Sequence, residues 1–352
     1  MVTESAKSGP HVRRLRVAEV IKETLDAHSL VFDTPCTGGS SFAYRPGQFL
    51  TLRIPADDGA VARCYSLASS PYVEGALKIT VKRVLDGRGS NWICDNVTAG
   101  TVLEVLPPAG TFTPRSLEGD FLLFAGGSGI TPIMSILKSA LENGDGNVVL
   151  LYANRDERSV IFRDELVALD DAHPGRLMVS HWLESVQALP TPRQLRDLAA
   201  PFAGYESFVC GPAPFMTAVD EALRQLDVPR ERVHMERFIS LSQDPFQSGS
   251  APAASAPADA GDHTSVEIEL DGRTHRYLWD RQTTLLDLLL DKGLDAPFSC
   301  REGACGACIC RVEDGEVKML HDVLLDEQDI AEGYVLACQA LPVTGTVKVS
   351  YS

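Results

Sequence analysis

The run Cys300-Arg301-Glu302-Gly303-Ala304-Cys305-Gly306-Ala307-Cys308, with Cys338 further along, decides how the C-terminal part of the chain folds. Its spacing, C-x4-C-x2-C plus one distant cysteine, is the plant-type pattern of [2Fe–2S] ligands. Two ferric ions bridged by sulfide need four anionic, polarisable thiolates, and three can come from one loop wrapped round the cluster. Gly303 and Gly306 allow left-handed backbone angles that bring N–H groups close to the sulfurs. A structural zinc site is the alternative. Such sites usually present two paired hooks, and Cys338 stands alone. Cys310 is surplus to four ligands. Its alternation with Cys308 reads as a strand leaving the loop with a small buried thiol.

Immediately upstream, VEIELDGRTHRYLW alternates apolar and polar residues about Asp271-Gly272, a strong two-residue hairpin signal. A helix, TLLDLLLDK, ends at Gly293. Before the hairpin, Gln247 to Asp262 is built from Ala, Ser, Pro, Gly and Asp, cannot bury apolar area, and reads as a flexible linker. The front of the chain divides again. Up to about Pro114, short runs such as LRVAEVIKE, FLTLRIP, ARCYSLAS and LKITVKRV predict an antiparallel barrel. From Asp120 onward, FLLFAGG, NVVLLYANR, RLMVSHW and SFVCGPAP alternate with helical stretches and predict a parallel sheet. The expected bounds are 11–115, 116–244, a linker over 245–262, and 263–352.

Composition narrows the function classes. A net charge of −16 argues against nucleic acid, whose phosphates attract basic surfaces. It fits either docking on a basic partner patch or an acidic surface kept for solubility. Met1 to Pro10 has no apolar signal-peptide core, and the most apolar tract, Phe121 to Leu137, is broken by glycines and Pro132. Nine cysteines, an odd number, with four crowded between Cys300 and Cys310, suggest a metal cluster in a reducing compartment rather than a disulfide framework. The expectation is therefore a cytoplasmic protein that binds neither membrane nor nucleic acid.

Two further sites emerge from the front part. Gly126-Gly127-Ser128-Gly129-Ile130-Thr131-Pro132 is a glycine-rich turn into a helix, where free N–H groups can meet a pyrophosphate. Thr131 is expected to cap that helix and Pro132 to suit its first turn. It is not the G-x-G-x-x-G fingerprint, and a tight structural turn is the plain alternative. A second loop, Cys210-Gly211-Pro212, strengthens the reading, because ligands bind at the carboxyl ends of parallel strands. Arg63-Cys64-Tyr65-Ser66 lies in a barrel strand. There an arginine can hold a phosphate, an aromatic ring can cover an isoalloxazine face, and a hydroxyl can bond the flavin N5. Taken singly, each is as readily an ordinary strand residue.

The order of parts resembles the ferredoxin–NADP reductase superfamily with a plant-type ferredoxin fused at the C-terminus. Arg63-Cys-Tyr-Ser66 matches the flavin motif R-x-Y-S. Val81, Lys82 and then Gly89-Ser90-Asn91 resemble the second phosphate-binding motif. Gly126 to Pro132 and Cys210-Gly211-Pro212 match the pyridine-nucleotide motifs, and His234-Met-Glu236-Arg-Phe238 resembles the segment that closes the reductase near the flavin. YRPGQFLTLRIP, GSGITPIMSILKSAL, LLYANRDERSVIF and DAPFSCREGACGACIC are similar to the reductase components of 3-ketosteroid 9α-hydroxylases, which act in steroid and cholesterol catabolism.

The resemblance implies a flavin β-barrel, an α/β nucleotide domain and a β-grasp ferredoxin domain. It implies that FAD, NADH and a [2Fe–2S] cluster pass electrons to a Rieske-type oxygenase, in a protein that works as a monomer. On this reading Tyr65, Ser66 and Glu236 are catalytic. Arg63, Val81, Lys82, Gly89, Ser90, Gly126, Gly127, Gly129, Thr131, Arg155, Cys210, Gly211, Pro212 and Phe238 bind cofactors, and Cys300, Cys305, Cys308 and Cys338 hold iron. Reductases of phenylacetyl-CoA epoxidase share the domain order, as does the phthalate dioxygenase type, which holds FMN. A reading of another class is a redox sensor, which would turn over NADH slowly. The donor rests on Asn154-Arg155: Arg155 and Arg158 suit a 2′-phosphate, whereas Asp156 and Glu157 oppose one. NADH is expected, with Arg155 on the ribose or pyrophosphate.

Overall fold

The computed structural model describes residues 12–35, 42–56, 59–242, 244–246, 263–270, 272–294, 296–322, 324–325 and 327–351. The linker Gln247 to Asp262 and Asp271 of the hairpin lie outside the described residues. Two compact units result. One holds Arg13–Pro108 and Phe112–Phe238, and the other holds Ala109–Thr111 and the chain from Ile239 onward.

The first unit opens with strands β1 (Arg13–Lys22), β2 (Ala27–Pro35), β3 (Phe49–Ala56), β4 (Gly59–Ser66) and β5 (Ala76–Lys82), then helix α1 (Arg88–Asn96) and β6 (Val102–Val105). They form an antiparallel sheet in the order β4-β3-β6-β1-β2-β5. An isolated bridge, Leu67↔Ile79, links the chain just after one edge strand to the other edge strand and curls the sheet toward closure. Alternation explains the core: Leu15 and Val17 of β1 point inward while Arg14 and Arg16 face water.

A parallel sheet follows. Its elements are β7 (Phe121–Gly126), α2 (Ile130–Asn143), β8 (Val148–Asn154), α3 (Arg163–Ala172), β9 (Leu177–Leu183), α4 (Glu184–Gln187), α5 (Pro192–Ala199), β10 (Glu206–Cys210), α6 (Ala213–Arg224) and β11 (Val233–Glu236). The order β11-β10-β7-β8-β9 reverses direction at β7, which opens a crevice beyond the ends of β7 and β10. Every residue of β7 is buried, with Leu123 and Ala125 in one core cluster and Leu122 and Phe124 in the other. Burial on both faces is why this strand is an unbroken apolar run.

Within this unit the barrel is pinned to the parallel-sheet half by buried polar groups. Lys138 of α2, 3% exposed, pairs with Glu74 and with Glu165 at 2.8 Å, and Lys78 of β5 reaches Glu165 at 2.9 Å. Nearby, Ser70 and Ser139 share a hydrogen bond of 2.8 Å, and the Ser135 hydroxyl donates to the Ser69 carbonyl at 2.6 Å.

The second unit contains β12 (His263–Leu270), β13 (Arg273–Asp280), α7 (Leu285–Asp291), β14 (Ile309–Asp314), β15 (Val317–Met319), α8 (Glu327–Ala331), β16 (Tyr334–Leu336), β17 (Ala340–Pro342) and β18 (Thr346–Ser350). A mixed sheet runs β13-β12-β18-β14-β16, with β12 and β18 parallel, and β15 pairs with β17. Leu270 pairs with Arg273, which leaves the expected two-residue turn, and Gly272 takes φ +71°. Helix α7 is capped by the Thr284 hydroxyl, which accepts from the Asp287 N–H, and it seats Leu285, Leu286, Leu288 and Leu289 on the sheet. The buried Trp279 donates its indole N–H to the Thr283 carbonyl at 2.7 Å. Residues just after Phe238 also belong to this unit. Leu241 and Phe246 are buried, and Ser242 donates its N–H and hydroxyl to the two carboxylate oxygens of Glu302 at 2.8 and 2.5 Å. Among the described residues no helix is long and apolar enough to cross a membrane.

Candidate functional site

The barrel strand β4 sets Arg63 and Tyr65 on one face, since side chains two apart share a side. Helix α1 begins directly over them. A Cβ at Gly89 would lie 3.0 Å from the Arg63 Cγ and 3.5 Å from the Tyr65 hydroxyl, so glycine lets the helix start approach without shifting the Arg63 side chain. No side chain caps α1 at Gly87. The start of α1 thus lies beside Arg63, where a helix N-terminus suits a phosphate. The buried Ser90 hydroxyl accepts from the Val84 N–H at 3.2 Å and fixes the preceding loop. Burial pushes the Tyr65 hydroxyl well above its ordinary range, so it stays protonated. Ser66, the last residue of β4, is buried.

At the crevice, residues Gly127–Gly129 form a single tight turn and α2 starts at Ile130. This corrects the capping expectation. The N-cap is Gly129, without a side-chain cap, and the Thr131 hydroxyl instead donates to the Ser128 carbonyl at 3.0 Å. Thr131 is one residue inside the helix because the 3-10 turn consumes the glycines first. Pro132 sits in the first helical turn as expected.

The two glycine loops touch. A Cβ on Gly129 would fall 2.2 Å from the Cys210 carbonyl oxygen, and one on Gly126 would fall 2.8 Å from the Pro212 ring. Gly211 packs equally closely on Gly126. These glycines serve backbone-to-backbone packing at the switch point. Gly127, at φ +52°, faces the Lys82 ammonium of β5, 3.6 Å from its Cβ position. Val81 beside it is fully buried. Burial draws the Lys82 ammonium below its usual value, against the pull of Asp26.

Cys210 and Glu236 are paired residues at the ends of neighbouring strands β10 and β11. Burial pushes the Cys210 thiol up, with Glu236 adding to the effect. Glu236 as a residue is half-buried, yet burial pushes its carboxyl up to about 8. Phe238 lies two residues beyond and is exposed. Arg155, just past the end of β8, donates to the Asp26 carboxylate at 2.7 Å. Asp26, Lys138 and Glu165 carry no motif. They reach their partners over long sequence separations, and nothing in their surroundings marks them in advance.

In the second unit the four cysteines meet. The Cys300 N–H donates to the Cys305 sulfur at 3.4 Å, the Ala304 N–H to the Cys300 sulfur at 3.3 Å, and the Gln339 amide to the Cys338 sulfur at 3.5 Å. Cys300 hydrogen-bonds Cys305 and Cys338, and Cys338 also bonds Cys308. These bonds, reinforced by the Glu302 and Ala304 N–H groups, pull the Cys300 thiol far down. The Cys338 thiol is raised by its hydrogen bonds to Cys300 and Cys308 and by burial. Gly303 and Gly306 take φ +80° and +68°, and Arg301 between the ligands also takes a left-handed φ of +61°.

Among the described residues no three His, Cys, Asp or Glu side chains close on a single-ion position. The donor set of four soft thiols, joined in the series Cys305–Cys300–Cys338–Cys308 with N–H groups directed at sulfur, fits a binuclear iron–sulfur cluster. Cys310 is buried in β14, and burial pushes its thiol up.

Three family models match the chain in order: an oxidoreductase FAD-binding domain over residues 14–113, an oxidoreductase NAD-binding domain over 123–221, and a 2Fe-2S iron-sulfur cluster binding domain over 268–343. The ferredoxin reductase component of 3-ketosteroid-9-alpha-monooxygenase from Rhodococcus rhodochrous is 56% identical over 352 residues, covering 100% of each chain. The chain belongs to this reductase family. The corresponding component from Mycolicibacterium smegmatis is 55% identical and covers 97% of this chain and 98% of its own. Phthalate dioxygenase reductase, described as a modular structure for electron transfer from pyridine nucleotides to [2Fe–2S], shares the fold. It aligns with a TM-score of 0.57 at 23% identity, covering 97% of this reductase and 98% of that chain. The reductase is thus an oxidoreductase whose cofactors are FAD, NAD and a 2Fe-2S cluster.

Proposed function

We propose that the protein takes a hydride from NADH and delivers single electrons to a Rieske-type oxygenase that hydroxylates a 3-ketosteroid at the 9α position. Full-length identity of 56% to a reductase component of that system carries the reading. When bound, the flavin converts a two-electron donor into one-electron steps and the cluster stores one electron at a time. A plant-type cluster near about −400 mV lies below Rieske centres at about −150 to +300 mV, so delivery is downhill.

The chain's own groups divide the work. Arg63, Lys82 and the α1 start at Gly89 and Ser90 hold the flavin's phosphates, with Val81 packed beneath. Tyr65 would cover the ring, and the Ser66 hydroxyl would hydrogen-bond at N5. Gly126, Gly127, Gly129 and Thr131, with Cys210, Gly211 and Pro212, would admit the nicotinamide nucleotide, and Phe238 would help close the site. Arg155 lies toward the ribose. Glu236, neutral below about pH 8, can donate a hydrogen bond beside Cys210 without bringing a charge against the hydride. Cys300, Cys305, Cys308 and Cys338 hold the irons.

The same reading divides the chain into an FAD-binding domain over 11–115, an NADH-binding domain over 116–244, a linker over 245–262 and a ferredoxin domain over 263–352, although the segment from Ile239 packs in the compact unit of the ferredoxin domain. It makes the protein a cytoplasmic monomer, and a cluster pattern of cysteines suits a reducing compartment. Anaerobic NADH titration followed by visible spectra, then turnover with a purified Rieske oxygenase and a 3-ketosteroid, tests the whole scheme. Hydroxylated steroid formed at the expense of NADH is the expected result. Flavin reduction with no steroid product, but product with an epoxidase oxygenase component instead, would move the terminus. Gel filtration of the holoprotein checks the monomer.

A further inference from the structure

We infer that Asp26, in the barrel's β1–β2 turn, sets the preference for NADH over NADPH by occupying Arg155. The inference rests on the proposed placement of the adenine ribose at the end of β8. At such strand ends a carboxylate suits the free ribose hydroxyls and an arginine suits a 2′-phosphate. Arg155 is the first residue past β8, so the chain offers the residue that favours NADPH.

Its guanidinium is nevertheless already engaged. Arg155 donates to one Asp26 oxygen at 2.7 Å, and the Thr24 hydroxyl donates to the other at 2.8 Å. The turn itself is rigidly held: the Asp26 carbonyl accepts the Arg83 N–H at 2.7 Å, and Glu23 and Thr24 both donate to the Ala27 carbonyl. Asp26 thus reaches Arg155 as a fixed carboxylate, from a segment remote in sequence. Asp156 cannot substitute for it, because its carboxylate caps the next turn by accepting the Arg158 and Ser159 N–H groups at 3.0 and 2.9 Å.

A 2′-phosphate would have to displace Asp26 from Arg155 and then lie beside the Asp26 carboxylate, which keeps the Thr24 hydroxyl and the nearby Lys82 ammonium as partners. NADH meets neither obstacle. An exposed ion pair contributes little by itself. Most of the discrimination therefore comes from repulsion between the carboxylate and a doubly charged phosphate.

The test is steady-state kcat/KM for both donors with ferricyanide as acceptor, using the holoprotein and the variants Asp26→Asn, Arg155→Ala and the double variant. Asp26→Asn should raise the NADPH value about tenfold, with a smaller change for NADH, and Arg155→Ala in that background should cancel the gain. Inhibition by 2′-phospho-AMP relative to AMP should strengthen in Asp26→Asn in the same proportion. An unchanged NADPH value with an intact flavin spectrum would overturn the inference, and so would a gain that survives Arg155→Ala. A wild type that already prefers NADPH would instead overturn the donor assignment. The 2′-phospho-AMP comparison separates the two failures, because it reports on Asp26 whichever donor is used.

Discussion

In the cluster loop, three of four candidate ligands lie between Cys300 and Cys308, and the loop's own N–H groups turn onto sulfur. In the flavin–nucleotide crevice no single segment suffices. Tyr65 comes from β4, Gly89 from α1, Lys82 from β5, Gly127 from the turn after β7, and Glu236 from β11. The first site is made by local backbone geometry and by chemistry that demands one residue type. The second is made by tertiary packing, with glycines permitting close approach and buried ion pairs such as Lys138–Glu165 setting the two halves against each other. A local site should fail completely when one ligand goes. An assembled site should fail by degrees, and through residues that never touch a cofactor.

The sharpest test of the local half is Cys300→Ser, Cys305→Ser, Cys308→Ser or Cys338→Ser. Each should abolish electron delivery to the oxygenase while NADH oxidation by ferricyanide continues, because ferricyanide can accept from the flavin. Cys310→Ser should keep the cluster's visible spectrum. Loss of the spectrum on Cys310→Ser but not on Cys338→Ser would reverse the ligand assignment.

The assembled half is tested next by Lys138→Met. It leaves Glu74 without its cation and Glu165 with Lys78 alone, and because both carboxylates are partly exposed it should cost about 2 kcal/mol of stability, read as a lower denaturation midpoint. Adding Glu74→Gln should recover part of that loss, because Glu165 keeps Lys78. A midpoint unmoved by Lys138→Met would show that the seam is ornamental and that the halves are held elsewhere.

A smaller effect is expected at Ser66. Ser66→Ala should slow flavin reduction at saturating NADH by about tenfold in stopped flow, with little change in NADH affinity. An unaltered limiting rate removes the hydroxyl from the reaction.

The smallest effect lies at Glu236. Its folded value is raised to about 8, so its contribution to stability is complete below the ordinary carboxyl range and is lost as pH rises through about 8. Glu236→Gln should flatten the fall in stability between mildly acidic and mildly alkaline pH, measured by denaturant titration. The same slope in both proteins would mean that the carboxyl is solvated.

What was legible in the sequence follows this division. The cysteine spacing, the turn after Leu270, the helix before Gly293 and the all-apolar β7 each depend on neighbours along the chain, and local chemistry marks them. The glycines of the nucleotide turn were legible as a turn, but their packing on Cys210 and Gly211 was not, because it depends on where β10 returns. Thr131 lies two residues past the cap at Gly129, since nothing local distinguishes an α start from a preceding 3-10 turn. Asp26, Lys138 and Glu165 were silent: a turn aspartate and two helix charges look like ordinary surface residues until the fold brings their partners to them.

The clasp between Ser242 and Glu302 bears on how such proteins could be recombined. Glu302 also offers its N–H to Cys300, so the segment after Phe238 braces the backbone that supports an iron ligand. An engineer grafting this electron-delivering end onto a foreign reductase would be tempted to cut at the low-complexity stretch that begins at Gln247. Cutting there would leave Leu241, Ser242 and Phe246 with the donor of the other half and strip the brace from the cluster loop. The transferable cassette starts at Ile239.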